Sequence, residues 1–216
     1  MHSVRAYAAK GCEAEPTTSN LVSKRIFDLL VALLILVVAS PLMLVIAAVV
    51  AVTSPGGAIY RARRVGSNGR PFTMYKFRSM VADADRVGPL VTAGGDARVT
   101  HIGRWLRRTK LDELPELWNV VRGEMSLVGP RPENEKSVAL YTDQQKLVLS
   151  VRPGITSAAT VKYRDEEDIL AGARDLESAY YRVMQDKLAI ELEYLRNRSF
   201  VSDLRILAET GLALLR

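Results

Sequence analysis

Two adjacent carboxylates, Asp112 and Glu113, are the residues of this sequence best suited to chemistry. Their charges repel each other, so both stay ionised only beside a metal ion, a basic group or the positive end of a helix. Thr109 and Pro115 are typical of the first turn of a helix, where the backbone also binds phosphate. Because acidic residues are common in first turns for capping alone, a purely structural role for the pair is the alternative.

Basic residues near this pair could bind phosphate. Arg107, Arg108 and Lys110 directly precede the carboxylates and could neutralise a diphosphate. Lys76 and Arg78 are two residues apart on a predicted strand, so both side chains would lie on one face and could clamp a phosphate. An exposed basic face is the ordinary alternative for these two residues.

Other catalytic chemistries lack the residues that they need. His2 and His101 are too few and too far apart for a histidine metal site, and Cys12 is the only cysteine. The sequence contains no glycine-rich dinucleotide fingerprint, no P-loop, and no serine or cysteine nucleophile motif. Carboxylates with a hard divalent cation such as Mg²⁺ are therefore the remaining catalytic set.

An apolar run without a single charge, residues 29–52, precedes the predicted site. As a helix, this run is long enough to cross a bilayer. Lys24 and Arg25 before it imitate the start of a signal peptide, but the run continues past the small pair Ala39-Ser40, which favours an uncleaved membrane element.

Ser40 and Pro41 lie near the middle of the run. Proline lacks the N–H that would bond to the carbonyl of Val37, so a kink is expected there, and Ser40 could satisfy part of the freed backbone. Basic residues flank both ends of the run, which favours the cytoplasmic side for both. We therefore predict a re-entrant membrane helix over residues 21–54, broken at Ser40-Pro41. A straight span with a tolerated proline is the alternative.

The remaining sequence predicts a mainly α-helical protein with a small β-hairpin. Two runs rich in aromatic and β-branched residues, 58–66 and 70–80, flank Asn68-Gly69, a strong hairpin signal. A helical pattern covers residues 101–121, and another covers residues 176–216. The last helix is amphipathic, so it either lies in the membrane interface or packs on the core of its own domain.

Charge and organisation limit the choice of partners. The net charge is +6, with the excess between residues 53 and 130, which favours anionic lipid headgroups or phosphorylated substrates. Few aromatic residues lie among the basic ones and no recognition motif occurs, so we predict no nucleic-acid partner.

We expect a flexible tail over residues 1–20 and, after the membrane helix, a catalytic domain over residues 55–216 that ends in interfacial helices.

Five segments resemble, in the same order, the monotopic polyprenyl-phosphate phosphoglycosyltransferases, the bacterial sugar transferase family. The resemblance leaves out residues 1–20. Its segments are KRIFDLL at 24–30, Ser40-Pro41, YKFRSM at 75–80, LDELPELWNVVRGEMSLVGPRP at 111–132 and RPGIT at 152–156.

The resemblance implies that Asp112 and Glu113 form the catalytic pair. Asp112 would attack the β-phosphorus of a UDP-sugar, forming a phosphosugar-aspartate intermediate and releasing UMP. A polyprenyl (undecaprenyl) phosphate would then take the sugar phosphate, as the first membrane step of glycoconjugate or polysaccharide assembly. Glu113 would help to hold Mg²⁺, together with Asp112, or would manage the proton.

The same resemblance implies roles for several cations and a location. Lys76, Arg78 and Arg107 would lie near phosphates, and Arg131, in a Pro-Arg-Pro turn, would contact the nucleotide. The membrane helix would be re-entrant, and the catalytic domain would lie on the cytoplasmic face of the bacterial inner membrane.

The sequence departs from the family pattern after residue 156. Ser157-Ala158-Ala159-Thr160 stands where many members have Gly-Trp-Ala-Gln, and only Arg164 remains of a common Asn-Gly-Arg. Because of this departure, the resemblance does not determine the choice of sugar or the shape of the binding loop. A non-catalytic basic membrane scaffold is the alternative function, and it would tolerate the loss of both carboxylates.

Overall fold

The computed structural model describes residues 18–88 and 92–214. Within this part, helices dominate and four short strands form two pairs, which confirms a mainly α fold with a small antiparallel hairpin. The strands are β1 (Ile59–Val65), β2 (Pro71–Phe77), β3 (Ser126–Val128) and β4 (Gly154–Thr156). The helices are α1 (Thr18–Thr53), α2 (Ala84–Val87), α3 (His101–Arg108), α4 (Glu116–Arg122), α5 (Glu135–Ala139), α6 (Ala158–Lys162), α7 (Glu166–Ala171), α8 (Leu176–Arg196) and α9 (Phe200–Leu214).

The long apolar segment forms one helix. α1 continues through Pro41, so the predicted break at Ser40-Pro41 does not interrupt the helix. The Ser40 hydroxyl donates to the carbonyl oxygen of Val37 at 2.8 Å, the acceptor that the missing proline N–H leaves open. This side-chain bond explains how the helix continues past a proline, and the re-entrant course stays a prediction. Of the predicted tail, residues 1–17 lie outside the described part of the chain and residues 18–20 begin α1.

Both halves of α1 pack against the same domain. In the first half, Ala32 is buried in a core cluster together with residues of α4, β3 and α9. In the second half, Ile46 and Val50 are buried against side chains of β2 and α3. Between these contacts many large apolar side chains are exposed, and Val22–Thr53 is long and apolar enough to cross a membrane. An exposed apolar surface of this extent is typical of a side that contacts a membrane or a protein partner.

Buried charges fix the start of α1 to the domain. Lys24 Nζ lies 2.7 Å from a carboxylate oxygen of Asp203 in α9, and the Ser126 hydroxyl donates to Asp28 at 2.7 Å. The Tyr194 hydroxyl of α8 donates to the other oxygen of Asp203. Because buried charges need such partners, these contacts hold the first turns of α1 at one position on the domain.

The sequence predicts one of the two strand pairs but not the other. β1 and β2 pair antiparallel from Ile59↔Phe77 to Val65↔Pro71, and Asn68 and Gly69 both have positive φ in the turn, as predicted. β3 and β4 form a parallel pair of three residues each, which the sequence did not indicate. This second pair brings the Pro-Arg-Pro turn that follows β3 beside the RPGIT segment.

The C-terminal helix has two apolar faces. In α9, Asp203 and Ile206 are buried against the domain, which confirms packing on the core. Val201, Leu204 and Leu212 are exposed, so the helix also offers a surface that could contact lipid.

Candidate active site

A sharp turn between two short helices carries the adjacent carboxylates. The helical pattern predicted over residues 101–121, with a new first turn near Thr109, is two helices in the structure: α3 ends at Arg108 and α4 begins at Glu116. Lys110 between them has a left-handed backbone, with φ 57°, and starts a single 3₁₀ turn at Leu111–Glu113. A left-handed residue ends a right-handed helix, so the carboxylates lie in this turn before α4. The turn directs both carboxylates into the protein interior.

Glu113 is held between two cations. Lys76 Nζ lies 2.9 Å from Glu113 Oε1, and the Arg131 guanidinium donates to the same oxygen. Burial alone would raise the pKa of the Glu113 carboxyl, but the charges of Arg131 and Lys76 outweigh burial and hold it well below its usual range. Glu113 is therefore ionised at neutral pH.

A third carboxylate, Glu116, lies behind Lys76. It is only 1% exposed, and its Oε1 lies 3.1 Å from Lys76 Nζ. Burial raises the pKa of Glu116 to about 7, against the opposing effect of Lys76. For Lys76, burial alone would lower the pKa, but Glu113 and Glu116 together raise it, so the amine stays charged. Sequence reasoning missed Glu116, although a third acid four residues after Asp112 was a visible signal.

Asp112 differs from its neighbour because part of its carboxylate has no partner. The side chain is 6% exposed, and its Oδ1 has no hydrogen bond within the part of the chain that the structure describes. Burial raises the pKa of Asp112, and Lys76 opposes this effect. A buried carboxylate oxygen without a hydrogen bond is destabilised as an anion, which is the state in which it reacts most readily with an electrophile or a metal ion.

One large cavity contains the predicted site. Its volume is about 1500 Å³, larger than the pockets of ordinary small ligands. The structure brings together at this cavity all six residues that the resemblance assigns to the site: Lys76, Arg78, Arg107, Asp112, Glu113 and Arg131. Arg108 and Lys110, which the sequence also indicated, line the same walls, as do Arg164 and Lys187. Acidic residues line the cavity too, among them Glu133, Glu166 and Glu167. The size of the cavity is sufficient for a nucleotide sugar.

Lys76 and Arg78, predicted to clamp a phosphate, line the same cavity but bond to different groups, and the clamp stays a prediction. Lys76 contacts the two glutamates, whereas Arg78 donates to the carbonyl oxygens of Gly57 at 2.9 Å and Gly56 at 2.8 Å. Arg78 directly follows β2, which ends at Phe77, and its side chain bonds to the segment that follows α1.

Two other predicted cations have carboxylate partners in the structure. Arg107 Nε donates to Glu167 Oε1 of α7 at 2.9 Å, at the wall of the cavity. Arg131, predicted to contact the nucleotide, bonds to Glu113. Both guanidinium groups lie where a phosphate could exchange for a carboxylate, and their substrate contacts stay predictions.

The two carboxylates are chemically suited to a hard cation, and the predicted magnesium ion stays a prediction. No cluster of three or more His, Cys, Asp or Glu residues suited to a metal ion occurs in residues 18–88 and 92–214. Mg²⁺, however, is often held by only one or two carboxylates, with water and substrate phosphates as the other ligands. The unpartnered oxygen of Asp112, beside an ionised Glu113, matches such an incomplete set.

Comparison with known proteins gives a consistent result. The model of the bacterial sugar transferase family matches residues 19–216. The chain is 39% identical over 193 residues to a UDP-glucose:undecaprenyl-phosphate glucose-1-phosphate transferase of Klebsiella pneumoniae, covering 87% of this chain and 39% of that protein. It is 36% identical over 204 residues to the exopolysaccharide production protein ExoY of Sinorhizobium fredii, covering 88% of this chain and 84% of that protein.

A third relative extends the range of sugars. The chain is 35% identical over 214 residues to an undecaprenyl-phosphate galactose phosphotransferase of Salmonella typhimurium, covering 92% of this chain and 41% of that protein. The chain thus spans about two fifths of the Klebsiella and Salmonella proteins and most of ExoY. The relatives carry the names of two different sugars, glucose and galactose, so similarity at this level leaves the sugar open.

Proposed function

The chain belongs to the bacterial sugar transferase family, and from this premise we propose that it transfers a sugar 1-phosphate from a UDP-sugar to a polyprenyl phosphate, releasing UMP. One observation carries the proposal: Asp112 presents an unpartnered carboxylate oxygen beside a charge-balanced Glu113 at a large cavity that cations also line. A basic scaffold would have no need to bury three carboxylates, because each burial costs free energy.

Asp112 is the proposed nucleophile of the first step. Its oxygen attacks the β-phosphorus of the UDP-sugar, the bond from this phosphorus to the bridging oxygen breaks, and UMP leaves with the electron pair. Negative charge increases on the phosphoryl oxygens, and cations along the cavity wall, such as Arg107 and Lys110, stabilise it. The first step leaves a sugar phosphate bonded to the aspartate.

In the second step, an oxygen of the polyprenyl phosphate attacks the same phosphorus. The bond to Asp112 breaks, which returns the free carboxylate and leaves the sugar on a polyprenyl diphosphate. A phosphate monoester dianion needs no base for this attack. Since the low pKa of Glu113 makes it a poor proton acceptor, we assign Glu113 to charge balance and metal binding instead of proton transfer.

Asp112 and Glu113 are the proposed holders of Mg²⁺, with phosphate oxygens of the donor as further ligands. When bound, the ion would neutralise part of the charge on the diphosphate. Lys76 and Arg131 both bond to one oxygen of Glu113. The other oxygen of Glu113 would be the one to bind the metal ion.

We also propose that α1 enters and leaves the membrane on the cytoplasmic face of the inner membrane, so that the enzyme is monotopic. With 36 residues, a straight α1 would be about 54 Å long, well beyond the ~30 Å hydrocarbon core of a bilayer. In an upright span, a domain on one face could contact only the nearer half of the helix. Contacts of Ala32 and of Ile46 with one domain support a shallow course instead.

Thiol labelling tests this topology. In a Cys12→Ser background, which removes the only cysteine, Val22→Cys and Pro55→Cys introduce exposed thiols near the two ends of α1. We expect a membrane-impermeant reagent to label both sites in inside-out vesicles and neither site in right-side-out vesicles. Labelling of the two sites from opposite sides would show that α1 spans the membrane.

The proposed reaction is tested with a panel of UDP-sugars. The purified protein in nanodiscs, with Mg²⁺ and undecaprenyl phosphate, is expected to release UMP from at least one donor. Chelation of the metal should stop the release, and fresh Mg²⁺ should restore it. Turnover that persists in excess chelator would contradict the metal assignment, and no release from a folded protein across a broad panel would contradict the proposed reaction.

A further inference from the structure

A second cavity adjoins the catalytic one. It has a volume of about 650 Å³, and we refer to it as the vestibule. It shares Tyr60, Arg78 and Asp83 with the wall of the catalytic cavity. Its remaining residues, which line the vestibule alone, are Gly56, Ile59, Arg61 and Arg86. The two cavities are therefore neighbours with part of their lining in common.

The vestibule lies where the membrane helix ends. Gly56 follows the last residue of α1, Thr53, by three positions, and Arg78 bonds to the carbonyl oxygens of Gly56 and Gly57. Val52, in the last turn of α1, is 87% exposed. Since basic side chains follow an exposed apolar helix end here, a membrane around α1 would place the vestibule near the lipid headgroups.

Positive charge dominates this vestibule. Three arginines line it against one acid, Asp83, and Asp83 pairs only loosely with Arg86, at 3.7 Å between two exposed side chains. Arg78 also lies over the ring of Tyr60, 5.9 Å from its centroid. Arginine binds phosphate with two parallel hydrogen bonds, so three arginines around one opening favour a phosphate monoester.

We propose that the vestibule binds the phosphate of the polyprenyl acceptor before transfer, with the prenyl chain along the exposed apolar side of α1. The inference rests on the proposed function. It follows from the order of the surfaces, which runs from exposed apolar helix through three arginines to the cavity of Asp112. A bilayer phospholipid would match the first two surfaces, but only the acceptor must reach the third.

This arrangement gives the two substrates separate routes. The acceptor enters laterally from the membrane through the vestibule, and the nucleotide sugar enters the larger cavity from water. Arg61 and Arg86 line the vestibule and not the catalytic cavity. They act before the chemical steps, so their loss weakens acceptor binding and leaves the donor reaction unchanged.

The test compares Arg61→Gln, Arg86→Gln and the double variant with the native protein. In nanodiscs, we expect each single change to raise the KM for undecaprenyl phosphate by about 5- to 10-fold, the loss of one partly exposed charge-assisted contact to phosphate. The rate of the first UMP release, measured without acceptor in a single turnover, should stay native. Arg63→Gln is the matched control, since Arg63 lies on the same strand, is 72% exposed and lines neither cavity.

A binding measurement makes the inference independent of turnover. Farnesyl phosphate, a short soluble acceptor, is titrated into the native protein and the double variant in detergent. We expect the Kd to rise by about 25-fold or more in the double variant, as the product of two such losses. An unchanged Kd, or an equal rise in Arg63→Gln, would overturn the proposal.

Two further results separate the sources of failure. The KM increase of the arginine variants could disappear when phosphatidylglycerol is omitted from the nanodiscs. This result would show that the vestibule binds anionic lipid headgroups in general, and it would overturn the acceptor assignment. Failure of the native protein to release UMP at all would contradict the proposed function, while the farnesyl phosphate titration would still decide on the vestibule.

Discussion

Asp112→Asn is expected to lower kcat for UMP release by about 10⁴-fold or more, because loss of a nucleophile removes the covalent pathway. The amide has nearly the same shape as the carboxylate but lacks its charge and nucleophilicity. The measurement is the initial rate of UMP formation with saturating donor and acceptor, together with single-turnover release without acceptor. Both rates should fall together, because both pass through the same first step.

The fold should survive this substitution. Burial raises the pKa of Asp112. At neutral pH its ionised carboxylate therefore destabilises the native state, and an uncharged amide avoids this loss of stability. We therefore expect an unchanged or higher Tm. Asp143→Asn, at an exposed aspartate, is the control and should behave as native in both assays. Near-native turnover by Asp112→Asn would contradict the assignment of the nucleophile.

Lys76→Met is expected to have the largest effect on stability. It removes the cation between Glu113 and Glu116, both buried, while methionine preserves most of the apolar stem. Breaking a buried ion pair on one side costs about 3–5 kcal/mol, so we expect a loss of this order in the free energy of unfolding at pH 8. Turnover should also fall, by about 10²-fold or more, since Glu113 loses one of its two cations. Chemical denaturation and the UMP assay measure the two effects.

The loss of stability should depend on pH. The raised pKa of Lys76 keeps its contribution present at all pH values below its usual 10.5. Glu116 has a raised pKa, near 7, so its contribution to stability is complete below about 4.5 and is lost as the pH rises through 7. Without Lys76 this pKa rises further. The difference between native and variant should therefore be smaller at pH 5 than at pH 8.

A double-variant cycle isolates the partner of the lysine. Glu116→Gln in the Lys76→Met background removes one carboxylate that has lost its cation, and it should restore about 1–2 kcal/mol at pH 8. Glu135→Gln, at an exposed residue that pairs with Arg63, serves as the control and should restore nothing. Additive effects of Lys76→Met and Glu116→Gln would contradict the buried contact between them.

Local signals in the sequence predicted much of the site. Asn68-Gly69 predicted the hairpin, because few other residues adopt positive φ at both positions. The carboxylate pair and four cations were found from their types and spacing and from the family resemblance, and the structure brings all six to one cavity. The contacts of Ser40 with Val37 also follow from the lack of an N–H in proline.

Long-range contacts could not be predicted. The left-handed backbone of Lys110, which ends the helical segment before the carboxylates, has no signal in the sequence, because lysine rarely adopts this conformation without tertiary support. The parallel pair β3–β4 is too short to show a pattern of alternation. Lys24 and Asp203 form a buried pair 179 positions apart in the numbering, and only the packing of α1 against α9 brings them together.

Covalent labelling of the chain tests the central claim most directly. The native protein is incubated with a UDP-sugar labelled at the β-phosphate, without acceptor, and analysed by intact mass and by peptide mapping. The proposed mechanism predicts one sugar phosphate per chain on the peptide that contains Asp112, its loss on addition of undecaprenyl phosphate, and no label in Asp112→Asn. Transfer to undecaprenyl phosphate without any labelled protein, or label retained by Asp112→Asn, would contradict it.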